Sequence, residues 1–74
     1  MNASHEMQAA VTVLRSTTAP GAAQIADLLE ETARMACINE GAWELAGYSD
    51  QHQKQLAEGK WRLELAMART LVGR

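Results

Sequence analysis

The chain has little of what stabilises many other small proteins. Its 74 residues include one Cys, one Pro, two Trp, one Tyr and no Phe. A single cysteine excludes an internal disulfide, and this usage is typical of a reducing cytoplasm rather than of a secreted protein. The scarcity of proline and of β-branched residues, beside frequent alanine, favours helices over strands. We therefore predict an all-α fold in one domain spanning residues 1–74, located in the cytoplasm.

Neither a strong charge nor a long apolar run is present. Seven basic and nine acidic residues give a net charge of -2, so the whole molecule has no attraction to duplex DNA or to an anionic membrane. No stretch of about 18 apolar residues occurs, and the first residues lack the basic and apolar regions of a signal peptide. We expect a soluble protein with no membrane partner, and we do not expect duplex nucleic acid as a partner.

A short amphipathic helix is predicted near the N-terminus. Between Ser4 and Arg15 the apolar residues recur at helical spacing, and Ser4 can cap the helix. These apolar residues are Met7, Ala10, Val11 and Leu14. A helix this short is marginal alone in water, so it must dock on the rest of the chain or fold when a partner binds.

A second helical pattern extends from Pro20 to about Gly47. Thr18 can cap this helix, with Pro20 in its first turn. Gly41 lies inside the pattern and is compatible with a kink or a break. Asn39 falls on the broad apolar side, where a buried Asn can set the register between helices, although a kink would equally turn it to solvent.

The last helix is predicted to extend from Gln51 to Val72 and to pair with the second helix. Gly47 is expected to end the second helix, and Ser49 or Asp50 to cap the last one. So short a link leaves two long helices antiparallel. The predicted fold is therefore a short N-terminal helix followed by a long antiparallel helical hairpin.

This predicted last helix is apolar on two sides at once. At about 100° per residue, two apolar stripes lie nearly opposite each other. One stripe contains Leu56, Leu63, Met67 and Thr70, and the other contains Trp61, Leu65, Ala68 and Val72. The fold can cover one of them, and so small a core gains from association. We expect an oligomeric helix bundle in which the second stripe contacts another copy or another protein, with Trp43 as a further aromatic anchor.

Groups suited to catalysis or metal binding are not combined in this sequence. His5 and His52 have no Cys, His or carboxylate at metal-ligand spacing on a shared helical face. Cys37 has Arg34 one turn before it, but no histidine lies within a turn to act as a base. The glutamates form no pair facing an apolar pocket. We expect no enzyme activity, no bound metal and no cofactor.

A few residues of the C-terminal half could bind an anion. Arg62 and Arg69 are seven residues apart and so share one side of the predicted helix, with Lys60 on a neighbouring face. Tyr48 and Trp61 could stack on a base. Three cations are few for nucleic-acid binding, and we favour the interpretation that their side chains surround a helix interface. The three cations and Tyr48 are also the candidates for a small anionic nucleotide.

The segment from Ser49 onward resembles a known family. An Asp soon after the turn is followed by a basic residue, a Leu-Ala pair, a Lys and an alanine-rich tail. These residues are Asp50, Lys54, Leu56, Ala57, Lys60 and the segment from Ala66 to Ala68. In this order they resemble the helical hairpin domain of phage proteins that sequester cyclic oligonucleotide signals in anti-CBASS defence. The resemblance covers about a third of the chain and implies a helical hairpin within a nucleotide sponge.

We predict a non-catalytic interaction protein, and in particular a small phage or mobile-element inhibitor that binds and blocks a host protein. Small size and net negative charge suit this class. One alternative is an oligomeric sponge that traps a cyclic nucleotide between protomers. Another is an oligomerisation or structural subunit without an inhibitory role. The expected partners are therefore a second copy and a host protein, with an anionic nucleotide as the alternative.

Overall fold

A computed structural model describes residues 2–73, which form four α-helices. The helices are α1 (Ala3–Arg15), α2 (Ala22–Leu45), α3 (Asp50–Lys60) and α4 (Arg62–Val72). Between residues 2 and 73 no strand is present, so the prediction of an all-α fold is confirmed. None of these helices combines the length and the apolar character needed to cross a bilayer.

Helix α1 is capped by Asn2, so the prediction that Ser4 caps it is wrong. The Asn2 side chain accepts a hydrogen bond from the His5 backbone N–H at 3.0 Å. Ser4 instead lies buried in the first turn, where its backbone N–H has no partner within the helix. Glu40 of α2 supplies that partner, because its Oε1 accepts from Ser4 N at 3.1 Å and its Oε2 lies 3.2 Å from Ser4 Oγ.

Helix α2 begins later than predicted and is not interrupted. Gly21, with φ at 82°, is its N-cap, so neither Thr18 nor Pro20 takes part in its first turn. The positive φ at Gly21 lets the chain turn into the helix directly after proline. Helix α2 then continues for 24 residues through Gly41, without the break that this glycine could have caused.

The end of α2 confirms the role predicted for Gly47. This residue has φ at 84°, its N–H donates to Glu44 O at 3.0 Å, and the Tyr48 N–H donates to Trp43 O at 3.1 Å. These two bonds define a Schellman motif, which satisfies the last carbonyls of the helix. Ser49 caps α3 by accepting from the His52 N–H at 3.2 Å, as one of the two predicted alternatives.

The single C-terminal helix predicted from Gln51 to Val72 is in fact two helices that meet at Trp61. The backbone of Trp61 has φ at -120° and ψ at 39°, outside the helical region. Its N–H still donates to Ala57 O at 2.9 Å, and its own carbonyl accepts from Leu65 N at 2.8 Å. The break thus changes the direction of the chain without leaving these backbone groups unpaired.

Helices α1 and α2 pack antiparallel and form most of the core. Ser4 at the start of α1 meets Glu40 near the end of α2, and Arg15 at the end of α1 pairs with Asp27 and Glu30 near the start of α2. Helix α4 packs on α1, while α3 and α4 make smaller contacts with α2. The main helical pair is therefore α1 with α2, rather than the predicted pair of α2 with one long C-terminal helix.

The core is built largely from small side chains. Alanines of α2 face α1, and a few larger side chains fill the remaining space. The buried residues include Met7, Ala10, Leu14, Ala22, Ala26, Leu29, Ala33, Ala36, Ala57, Trp61, Leu65 and Ala68. Small side chains at a helix contact let the two backbones approach closely, so that the larger side chains of α2 are left for its other faces.

Candidate interaction surface

One long face of α2 carries large apolar side chains that no other helix covers. Leu28 is 48% exposed, Met35 46% and Ile38 63%. Helix α1 packs against the alanine-rich face, whereas these side chains are directed elsewhere. Complete burial of a side chain of this size stabilises by about 1.5 to 3 kcal/mol, so covering these three would contribute roughly 2 to 5 kcal/mol per protomer.

Leu28 and Met35 belong to a regular seam along α2. The α2 seam, as we call it, consists of Ile25, Leu28, Thr32, Met35, Asn39, Ala42 and Ala46. Its members are separated by alternating steps of three and four residues, which is the spacing at which one helix presents a continuous stripe to a second helix. Four members are exposed, and Ile25, Thr32 and Asn39 are half-buried. Ile38 lies on one flank of the seam.

The α2 seam contains no charged residue. The charged residues of α2 lie on its other faces, and they are Asp27, Glu30, Glu31, Arg34, Glu40 and Glu44. At about 100° per residue none of them falls within the seam. An uncharged stripe on a helix that carries six charged residues on its other faces is the composition expected of a contact surface.

Asn39 is the most polar member of the seam. Its Nδ2 donates to Met35 O at 2.8 Å, and its Oδ1 lies 3.4 Å from Lys60 Nζ. An amide group has two N–H donors, so one of them is left for a further acceptor. A polar residue inside an otherwise apolar seam selects the partner and the register that satisfy it.

The structure places most of the predicted interface stripe inside the protomer. Trp61, Leu65 and Ala68 are buried in the core, whereas Val72 is about half exposed. Trp43 is partly buried, and its ring centroid lies 5.8 Å from that of Trp61. The chain breaks at Trp61, and α4 beyond this break packs on α1. A contact with another chain would therefore use other exposed apolar side chains, which lie on α2 and also at Leu63 of α4.

The four residues predicted for anion binding are not brought together. Lys60 lies beside Asn39 with its ammonium 5.5 Å from the centre of the Trp61 ring. The Tyr48 ring packs on His52 with centroids 4.7 Å apart. Arg62 is exposed, and no described residue from 2 to 73 forms an ion pair with it.

Arg69, the fourth of these residues, is already paired with carboxylates. Its guanidinium donates to both oxygens of Glu58, and its Nε lies 3.4 Å from Glu6 Oε2. The hydrogen bond from Arg69 lowers the pKa of Glu58, and the same contact raises the pKa of Arg69. The Glu6 contact is an ion pair without hydrogen-bond geometry, since the buried Oε2 has no hydrogen-bond partner. Arg69 is thus neutralised within the fold.

A groove of about 640 Å³ lies where the four helices meet. Carboxylates outnumber cations in its lining, which includes Glu6, Glu40, Asp50 and Glu58 against Lys54 and Arg69. The sequence gives no signal for this groove, because its residues come from separate helices that only the tertiary fold brings together. Its net negative lining is unfavourable for an anionic nucleotide.

The remaining candidates for chemistry are dispersed. Between residues 2 and 73 no three His, Cys, Asp or Glu side chains are grouped so that they could hold a metal ion. Cys37 is exposed on α2, about 200° around the helix from Met35. Comparison of the chain with family models, curated proteins and solved structures found no match.

Proposed function

We propose that this protein is a non-catalytic interaction protein that assembles with other polypeptides through the α2 seam. The observation that carries the proposal is the position of the large apolar side chains. Leu28 and Met35 are half exposed on α2, while the face that packs on α1 consists mainly of alanine. A small core is stabilised when such a surface is covered, since each buried apolar side chain adds to a marginal total.

Within this class we propose a small phage or mobile-element inhibitor that blocks a host protein in the host cytoplasm. A second apolar surface supports a contact with such a target. Leu45 is 91% exposed at the end of α2, and Tyr48 is exposed directly after it. Aromatic and aliphatic side chains at a convex end can act as anchors in a pocket of the target.

The test is a comparison of matched variants in a bacterial lysate. The tagged wild-type protein is compared with Met35→Asp, with Leu45→Asp and with the control Cys37→Asp. All three changes place a carboxylate at an exposed position of α2, but Cys37 lies outside both apolar surfaces. The proposal expects a host protein that is retained by wild type and by the control, and lost with Leu45→Asp or Met35→Asp.

Two outcomes would change the proposal. If all four proteins retain the same set of host proteins, then neither apolar surface of α2 mediates the function, and the inhibitor proposal fails. If the protein self-associates but retains no host protein, the third candidate, an oligomerisation or structural subunit, takes its place.

A cyclic-nucleotide sponge is the second candidate, and the resemblance of the segment after Ser49 favours it. The structure gives less support to this candidate, because two of the residues proposed to bind the nucleotide already contact other side chains. Arg69 is held by Glu58, and Lys60 by Asn39, so a nucleotide would have to displace these contacts. Calorimetry against a panel of cyclic dinucleotides and trinucleotides tests the candidate directly. Submicromolar binding that is lost with Arg62→Gln would replace the first proposal, because Arg62 has no role in the fold that the substitution would disturb.

A further inference from the structure

We propose that the α2 seam is covered by a second copy of this chain, packed antiparallel about a two-fold axis at Met35. This inference rests on the proposed function, and it names the partner and its orientation. Three observations carry it, which are the order of side-chain sizes along the seam, the position of its polar residues and the area available.

The first observation is that the seam carries large side chains at one end and small side chains at the other. Leu28 and Ile25, which packs in part against the core, lie in the first half of α2, while Ala42 lies in the second half and Ala46 is the C-cap. Leu28 and Ala42 are each seven residues from Met35, while Ile25 is ten residues and Ala46 eleven residues from it. An antiparallel pair therefore places Ile25 against Ala46 of the partner subunit and Leu28 against Ala42 of the partner subunit. Large side chains then fill the space that small ones leave.

A parallel pair does not have this complementarity. It would place Ala42 against the partner's Ala42 and Leu28 against the partner's Leu28. The two helices would then be too close at one end or too far apart at the other, and a gap beside alanine forfeits the contacts that packing provides.

The second observation is that the two polar members of the seam lie on opposite sides of Met35. Thr32 is three residues before it and Asn39 is four residues after it. Antiparallel packing places Thr32 against Asn39 of the partner subunit. The Asn39 amide has one N–H donor beyond the one given to Met35 O, and a threonine hydroxyl can accept it. The polar residues thus satisfy each other, and a register shifted by one turn would place them against apolar side chains.

The third observation is the area of the seam. A helix of 24 residues is about 36 Å long and about 10 to 12 Å wide, so a face covering somewhat more than a third of its circumference has roughly 500 Å². Two copies would then bury about 1,000 Å², which is the lower limit for a specific interface. The seam is uncharged, so two copies meet without like charges in contact. We expect a dimer of micromolar rather than nanomolar affinity.

The orientation is tested by disulfide crosslinking in a Cys37→Ser background. A Met35→Cys protein should crosslink to itself, because both copies of residue 35 lie at the axis. A Leu28→Cys protein should not, since its two copies are about 20 Å apart in an antiparallel pair. The double variant Leu28→Cys with Ala42→Cys should crosslink efficiently. Efficient crosslinking of Leu28→Cys alone would show a parallel pair and overturn the proposed orientation.

Assembly itself is tested by light scattering at about 100 μM protein, a concentration that a weak interface requires. Wild type and Cys37→Asp should be dimers, and Met35→Asp should be a monomer with an unchanged far-ultraviolet circular dichroism spectrum. A monomeric wild-type protein would overturn this inference. The proposed function would still stand if Met35→Asp then loses a host protein that wild type retains, and it would fail with the inference if wild type is monomeric and retains none.

Discussion

The two halves of the chain contribute different kinds of side chain to the core. Helices α1 and α2 meet along alanines such as Ala26 and Ala33, with polar contacts at each end of the pair. Helices α3 and α4 are held mainly by two large buried side chains, Trp61 and Leu65. Contact between small side chains is spread over many residues, whereas an anchor concentrates stabilisation in one. We therefore expect added volume to be most costly among the alanines of the first half, and removed volume to be costly at the large buried side chains, which include Met7 and Leu29 in the first half and Leu65 in the second.

The largest effect is expected from removing an anchor of the second half. Trp61→Ala should lower the free energy of unfolding by about 3 to 5 kcal/mol, since it deletes a buried aromatic side chain at the junction of α3 and α4. Urea denaturation measures the loss. Leu63→Ala is the control, because Leu63 is largely exposed on the same helix and its truncation should change stability by at most about 0.5 kcal/mol. Equal losses in both variants would contradict the packing of α4.

The next effect is expected from adding volume to the first half. Ala33→Leu introduces a branched side chain at a buried position of α2, and overpacking of this kind costs about 1 to 3 kcal/mol. The control is Ala23→Leu at an exposed position of the same helix. Thermal unfolding should show a lower Tm for the first variant alone. A stable Ala33→Leu protein would mean that α1 and α2 are less closely packed than the structure shows.

The local features of the fold could be predicted from the sequence. Gly47 ends α2 through its positive φ, and Ser49 caps α3 through its side-chain acceptor. Both effects act within a few residues of these positions, so the nearby sequence is enough to predict them. The break at Trp61 has a weaker local signal in Gly59, whose φ is not positive. It depends on the burial of Trp61 against Trp43, a residue of another helix. Periodicity alone therefore predicted one long helix.

The candidate interaction surface, like the fold, could be predicted only in part from the sequence. Helical spacing predicted two apolar stripes on one C-terminal helix, but it could not show which face the fold uses. Leu65 is buried and Leu63 is exposed, although both are leucines of α4. Likewise, Arg69 was a candidate for binding an anion until the fold placed Glu6 and Glu58 beside it. Contacts between distant residues decide both cases.

A smaller effect is expected at the polar contact that joins the two ends of the first half. Glu40→Gln removes the charge and one of the two oxygens that contact Ser4, and weakening such a contact at a helix start costs up to about 1 kcal/mol. Amide hydrogen exchange in the first turn of α1 should become faster. Glu44→Gln, at an exposed position one turn later, should leave these rates unchanged. If both variants behave alike, the effect is one of net charge and not of this contact.

The smallest effect is expected at the ion pair that joins α3 to α4. The hydrogen bond from Arg69 lowers the pKa of Glu58, so the folded state holds the charged carboxylate more favourably than the unfolded state does. The contribution is therefore present above the ordinary pKa of a glutamate, and it is lost as the pH falls through the lower pKa that Glu58 has in the folded state. Because the pair is exposed, we expect at most about 1 kcal/mol and a decrease with added salt. A nuclear magnetic resonance titration of Glu58 should show its pKa rising in Arg69→Gln and unchanged in Arg62→Gln. An unchanged pKa in Arg69→Gln would mean that this contact does not persist in solution, and α4 would then be held on α3 by its buried side chains alone.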